Sequence, residues 1–246
     1  MLTKQFIMSR YKAMEWLDEL SGESPACTVH IAQLTGKAEI EKTLGAVLDR
    51  GNFVDELAEN AFKSPTGVII FYVPGKAHVV WPPFPLRATI GASCYDPANL
   101  LTMLKHDWRL GLILIRLGHY AIGLFKGEEL LDSKAGTGLV HGRHSKGGSS
   151  SQRFARHREK QMETFFTRIE GHARELIEPH IREIDYILYG GTRDTLLTMW
   201  RQCAFFRSLE GKAVNRLLTE REPKRSSFGE AVKQAYSSTV YDFEER

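Results

Sequence analysis

Residues 142–159 read GRHSKGGSSSQRFARHRE: two adjacent glycines and three serines among cations, running straight into a helical pattern. From Gln152 onward, Phe154, Met162, Phe165, Phe166, Ile169, Ala173, Leu176 and Ile177 recur at three- and four-residue steps. That spacing predicts a long amphipathic helix running to about Pro179. Upstream, LGLILIRL (110–117), YAIGLF (120–125) and EELLDSK (128–134) are short apolar runs separated by Gly118-His119 and Lys126-Gly127. They read as a meander of three strands. Downstream come a strand in IDYILYG (184–190), a helix holding Leu196, Leu197, Met199 and Trp200, a strand in AVNRLLTE (213–220), and a closing helix in FGEAVKQAYSSTVYDF (228–243). The order βββ-α-β-α-β-α predicts a mixed sheet flanked by helices, an α/β domain over residues 107–246 whose Gly-rich loop occupies 141–153.

The first 106 residues read as a separate α+β domain. A helix is expected over Gln5–Leu20, stopped by Ser21-Gly22, then a buried strand in ACTVHIA (26–32) and two helices in AEIEKTLGAVLDR (38–50) and FVDELAENAF (53–62). TGVIIFYV (66–73) and AHVVW (77–81) form a hairpin about Pro74-Gly75-Lys76. Pro82, Pro83 and Pro85 impose a rigid extended connection, and a short helix follows within residues 92–108. Cys94, Tyr95 and the tryptophans read as core.

A chain of 246 residues with 42% apolar and 26% charged residues has the balance of a globular protein with room for two modest cores. The whole chain carries a formal +3, whereas residues 141–160 hold six Lys or Arg against Glu159 alone, a local +5 that leaves −2 for the remainder. The basic window, and not the molecule as a whole, is therefore the anion-binding candidate. Cys27, Cys94 and Cys203 are odd in number and show no CxxC spacing, which speaks against a disulfide framework or a zinc site. Charges at Lys4, Arg10, Lys12, Glu15 and Asp18 interrupt any leader-peptide core, and no apolar run approaches membrane-spanning length, so the expectation is a cytoplasmic protein without membrane contact.

Adjacent glycines let a partner approach the main chain closely, and the start of a helix offers exposed amides to an anion. A Walker A loop is excluded, because Lys146 precedes Gly147 and Gly148 instead of following the glycines. Other readings stand beside the anion site. Ser149-x-x-Gln152 has the spacing of a capping box, and the arginines have the spacing of a solvated helix face. His141, His144 and His157 lack a carboxylate at ligand spacing, so no metal or other cofactor is expected there. Asp107, Asp132 and Asp185 are the acids that a metal nuclease would need at strand ends.

LVHGRHSKGGSSSQRFARHREKQ (139–161) resembles the catalytic loop of the eukaryotic and archaeal type of class-I peptide-chain release factor, whose middle domain carries HGRGGQS followed by a basic RFARxR helix start. The flanking strands, IDYILYGG, and TGVIIFYVPGKAHVVWPPFPL resemble the same family's middle and N-terminal domains. Within it the chain is similar to the release-factor-like peptidyl-tRNA hydrolases of ribosome-associated quality control, the Vms-like branch in its bacterial form. The resemblance implies a release-factor N domain over 1–106 and a ribonuclease-H-like middle domain over 107–246 with a protruding loop. It implies a metal-independent, monomeric hydrolase that cleaves nascent chain from tRNA on stalled large ribosomal subunits. Its partners would be the peptidyl-transferase centre, peptidyl-tRNA and ribosomal RNA.

On that resemblance Gly147, Gly148, Ser149 and Gln152 form the catalytic loop, and Arg143, His144, Lys146, Arg153, Arg156 and Arg158 bind RNA. Without gaps the family's glutamine aligns with Ser149, and Gln152 follows three residues later. No NIKS tetrapeptide of the stop-codon readers occurs in the first domain. A docking module without hydrolysis is the alternative function.

Overall fold

A computed structural model describes residues 1–48, 52–140, 149–219 and 222–245, with the backbone alone at 52 and 149–152. The chain forms two compact units: Met1–His106 with Val214–Arg216 and Lys233–Arg246, and Asp107–Ala213 with Leu217–Val232.

In the first unit the elements are β1 (Leu2–Met8), α1 (Arg10–Ser21), β2 (Cys27–Ile31), α2 (Lys37–Val47), α3 (Asn52–Phe62), β3 (Val68–Val73), β4 (Lys76–Trp81), β5 (Ile90–Ala92) and α4 (Ala98–Lys105), completed by β11 (Ser238–Glu244). They build a six-stranded sheet in the order β1-β11-β4-β3-β2-β5. The hairpin of β3 and β4 pairs Val73 with Lys76 and turns at Gly75. Val29, Ile31, Ile40, Leu44, Leu57, Val68, Ile70 and Val79 bury the face that α2 and α3 cover.

The second unit contains β6 (Arg109–Arg116), β7 (His119–Lys126), β8 (Glu129–Thr137), α5 (Ser149–Ile177), β9 (Tyr186–Gly191), α6 (Arg193–Gln202), α7 (Ala204–Ser208), β10 (Ala213–Leu218) and α8 (Phe228–Ala235). Its sheet runs β10-β9-β6-β7-β8, parallel between β10, β9 and β6 and antiparallel through β7 and β8. Phe165, Phe166, Ile169, Ala173, Leu176 and Ile177 of α5 pack with Ile113, Ile115, Tyr120 and Ile122 of the sheet. Burying each large side chain of this kind is worth about 1.5–3 kcal/mol, so the apolar stripe fixes where α5 lies. Gly191, at φ 130°, is a position where a Cβ would fall 2.0 Å from the Ile115 carbonyl oxygen, so only glycine fits the end of β9.

Four expectations are corrected. Residues 2–8 form a strand and not the start of a helix, because they pair antiparallel with β11, Phe6 opposite Val240. The closing segment is helix only to Ala235; residues 238–244 form β11, which is inserted between β1 and β4. The expected contiguous second domain over 107–246 is modified accordingly, since this last strand finds its hydrogen-bonding partners in the first sheet. Cys94 is exposed and not core, whereas the half-buried Trp81 and Trp200 pack against the two cores.

Candidate functional site

β8 and α5 frame the segment that carries the loop motif. At the stem, the Gly138 amide donates to the Gly118 carbonyl at 2.9 Å, continuing the ladder of β7 and β8 by one step. Arg168 of α5 donates to the Thr137 carbonyl at 2.8 Å, and Lys134 of β8 pairs with Glu175 of α5. The Tyr120 hydroxyl and His172 Nδ1 share a hydrogen bond at 2.6 Å. Burial pushes the Tyr120 hydroxyl up, while burial and then the Lys134 and Arg168 cations push the imidazole down. The two shifts favour the neutral form of both groups.

Two glycines allow this closeness. A Cβ on Gly136 would lie 2.5 Å from the Tyr120 hydroxyl oxygen, and one on Gly138 would lie 2.5 Å from Cδ2 of Phe165. The chain therefore leaves the sheet against the ring of α5's first buried residue. Leu139, just beyond, is 73% exposed.

α5 is 29 residues long, about 43 Å at 1.5 Å per residue. From Arg153 to Thr164 none of its side chains is buried; Phe165 is the first that is. From Arg153 to Thr164 the half-buried Met162 packs against the core, and the remaining sequence of these turns is open to serve a partner. The first turn holds no acid, so no side chain there offsets the positive end of the helix dipole. Ser149 and Gln152 both belong to this turn by backbone, so residue 152 follows residue 149 along a helix.

Among the predicted site residues, Gly147, Gly148, Arg143, His144 and Lys146 lie outside the described residues, as does His141. Arg153 and Arg156 are exposed and Arg158 is half-buried. Helix geometry separates them. At about 100° per residue, Arg158 lies about 140° around α5 from Arg153, so the three arginines do not share one face. Arg156 and Arg158 instead line a groove of about 750 Å³ between α5 and α6, together with Glu159, Glu163, Phe166 and Cys203. The Cys203 thiol is pushed up to about 12 by burial and by Glu170, which leaves it inert.

The acids considered for a nuclease centre have separate local roles. Asp185 Oδ2 accepts from the Arg109 amide at 2.8 Å while its own amide donates to the Arg109 carbonyl at 2.8 Å. Asp132 accepts from the Ser133 amide at 2.7 Å, and Asp107 lies beside Gly127. Among the described residues no group of three or more His, Cys, Asp or Glu is placed to hold a metal ion, and no helix is long and apolar enough to cross a membrane. Sequence reasoning missed Tyr120, Lys134, Arg168 and His172. The available signal was the polar spacing 157, 161, 164, 168, 172 on one side of α5.

Residues 108–241 match the family described as Actinobacteria/chloroflexi VLRF1 release factor. Peptide chain release factor subunit 1 of Archaeoglobus fulgidus is 30% identical over 158 residues, covering 61% of this chain and 38% of that protein. The same factor of Aeropyrum pernix is 25% identical over 142 residues, covering 57% of this chain and 38% of that protein. The matches thus span under half the length of these curated relatives. The crystal structure of the archaeal translation termination factor aRF1 superposes with a TM-score of 0.42 at 17% identity, over 93% of this chain and 70% of that one. The Vms1 mitochondrial localization core gives 0.40 at 13% identity, over 84% and 95%.

Proposed function

Because the chain belongs to the Actinobacteria/chloroflexi VLRF1 release factor family, we propose that it is a ribosome rescue factor that hydrolyses the ester between nascent chain and tRNA on stalled large ribosomal subunits. The observation that carries this reading is the position of the motif. The matched region encloses the Gly-Gly segment, and α5 begins directly after it with a first turn free of acids and no buried side chain from Arg153 to Thr164.

A peptidyl-tRNA ester is already activated. It needs a placed water and donors for the oxyanion more than it needs a strong base. Orientation of a reactant supplies on the order of 7–11 kcal/mol, and one aimed oxyanion donor about 3–4 kcal/mol. In this proposal Gly147 and Gly148 let the main chain enter the peptidyl-transferase centre, Gln152 positions the water, and the amide of Ser149 or a neighbour meets the developing charge. The terminal ribose of the tRNA assists proton transfer. Arg143, His144, Lys146, Arg153, Arg156 and Arg158 hold RNA phosphates, which makes association steeply dependent on salt. The reaction uses no metal of the protein's own, and the factor works in the cytoplasm as a monomer.

The test is release of labelled peptide from purified large subunits carrying peptidyl-tRNA. Release by the wild-type chain supports the proposal. Normal binding with the ester left intact favours the second reading, a docking module without hydrolysis, which the serine at the aligned glutamine position supports.

A further inference from the structure

α5 presents two unlike faces in its exposed half. The groove shared with α6 is lined by Arg156, Arg158 and Lys160 together with Glu159 and Glu163, so its charges largely offset one another. A second groove, about 280 Å³, lies between the end of β8 and α5 and shares Lys160 with the first. Leu139, Phe165, His157, Gln161, Lys160 and Arg168 line it, and no Asp or Glu is among its lining residues. The two cations are eight residues apart, about 12 Å along the helix, and so stand toward the two ends of the groove.

We propose that this groove holds one unpaired nucleotide within an RNA strand, its base on the apolar side formed by Leu139 and Phe165 and its two flanking phosphates on Lys160 and Arg168. The inference rests on the rescue-factor reading for the identity of the RNA, but the groove's chemistry is independent of hydrolysis. Three features select this ligand. The volume sits at the lower end of small-ligand sites, enough for one nucleotide and too little for a folded protein element. Cations toward both ends match a nucleotide inside a strand, which carries a phosphate on each side, better than a free monophosphate. An apolar wall beside hydrogen-bonding groups on His157 and Gln161 is how single strands are held, with the base face against side chains and the backbone on cations.

Arg168 can serve both roles assigned to it. One of its N–H groups donates to the Thr137 carbonyl, and a guanidinium carries five such donors in a fork suited to phosphate. The groove is therefore pinned to the loop stem by the same side chain that would read the phosphate.

The experiment measures binding across a salt series by anisotropy, with two RNA probes: large subunits stripped of tRNA, and a labelled acceptor-stem hairpin with a single-stranded 3′ end. Lys160→Gln carries the test because the lysine is exposed and outside the core. Its salt slope should be shallower than wild type by about 0.7–0.9, the value of one phosphate contact. Leu139→Ser, also at an exposed position, should weaken binding several-fold at unchanged slope. Lys42→Gln, an exposed lysine of the first unit, should match wild type. A change on the hairpin assigns the nucleotide to tRNA, and a change on stripped subunits alone assigns it to ribosomal RNA. Wild-type slopes for Lys160→Gln on both probes, or displacement of RNA by polyglutamate as readily as by unlabelled RNA, overturn the proposal. If the slope changes but wild-type protein releases no peptide, the groove stands and the hydrolase reading falls.

Discussion

Gly138→Ala tests how the loop stem is held. The new Cβ would sit 2.5 Å from Cδ2 of Phe165, a ring that is 2% exposed and packed against Tyr120 and Phe166. Ordinary contact begins at about 3.5 Å, so about 1 Å must be recovered by moving either the ring or the strand end. Overpacking of this kind costs about 1–3 kcal/mol. For a chain of this size that lowers Tm by about 2–12 °C, at 2–4 °C per kcal/mol. Thermal unfolding of Gly138→Ala, Phe165→Leu and the double variant forms a double-mutant cycle. The smaller leucine should make room for the new methyl, so the double variant should lose less stability than the two single losses combined, by at least ~0.5 kcal/mol. Strict additivity would refute the contact as the cause.

Arg10 is buried and donates to the carbonyls of Leu104, Lys105 at 3.0 Å and His106 at 3.4 Å, with its guanidinium 4.5 Å from the Tyr236 ring centre. Arg10→Met leaves the end of α4 without these donors and should cost about 2–4 kcal/mol in urea unfolding; a cost below ~0.5 kcal/mol would contradict that role. Burial pushes the pKa of His30 below its ordinary value, and His172 is pushed down likewise, so near and below pH 6.5 the unfolded chain binds more protons than the folded one. Stability should therefore be fully present above about pH 6.5 and fall as pH is lowered, with a shallower fall in His30→Gln; the same slope in that variant would remove His30 from the account. A thiol reagent should label Cys94 in the folded protein and reach Cys27 and Cys203 only on unfolding, as read by mass spectrometry of labelled peptides.

The second sheet was legible in the sequence because each of its elements carries its own pattern. β6, β7 and β8 are joined by tight turns at Gly118 and Gly127, and α5 repeats apolar residues at helical spacing over many turns. The first and last strands were not legible for the converse reason. Residues 2–8 and 238–244 become strands by pairing with each other, a partnership between opposite ends of the chain that no local window contains. The loop chemistry was readable as composition, glycines beside cations. The stem was not, since Gly136 and Gly138 matter only for what lies above them, Tyr120 and Phe165. Likewise the arginine cluster is compact in sequence, yet helix geometry distributes it around α5.

The most direct measurement is single-turnover release from stalled large subunits by the wild-type chain, Gln152→Ala and Gly148→Ala. The account predicts release by wild type, loss in Gly148→Ala, and a reduction of about tenfold or more in Gln152→Ala if that side chain contributes even ~1.4 kcal/mol to the transition state. Full-rate release by Gly148→Ala, or a wild-type chain that binds the subunit and leaves the ester intact, would contradict it.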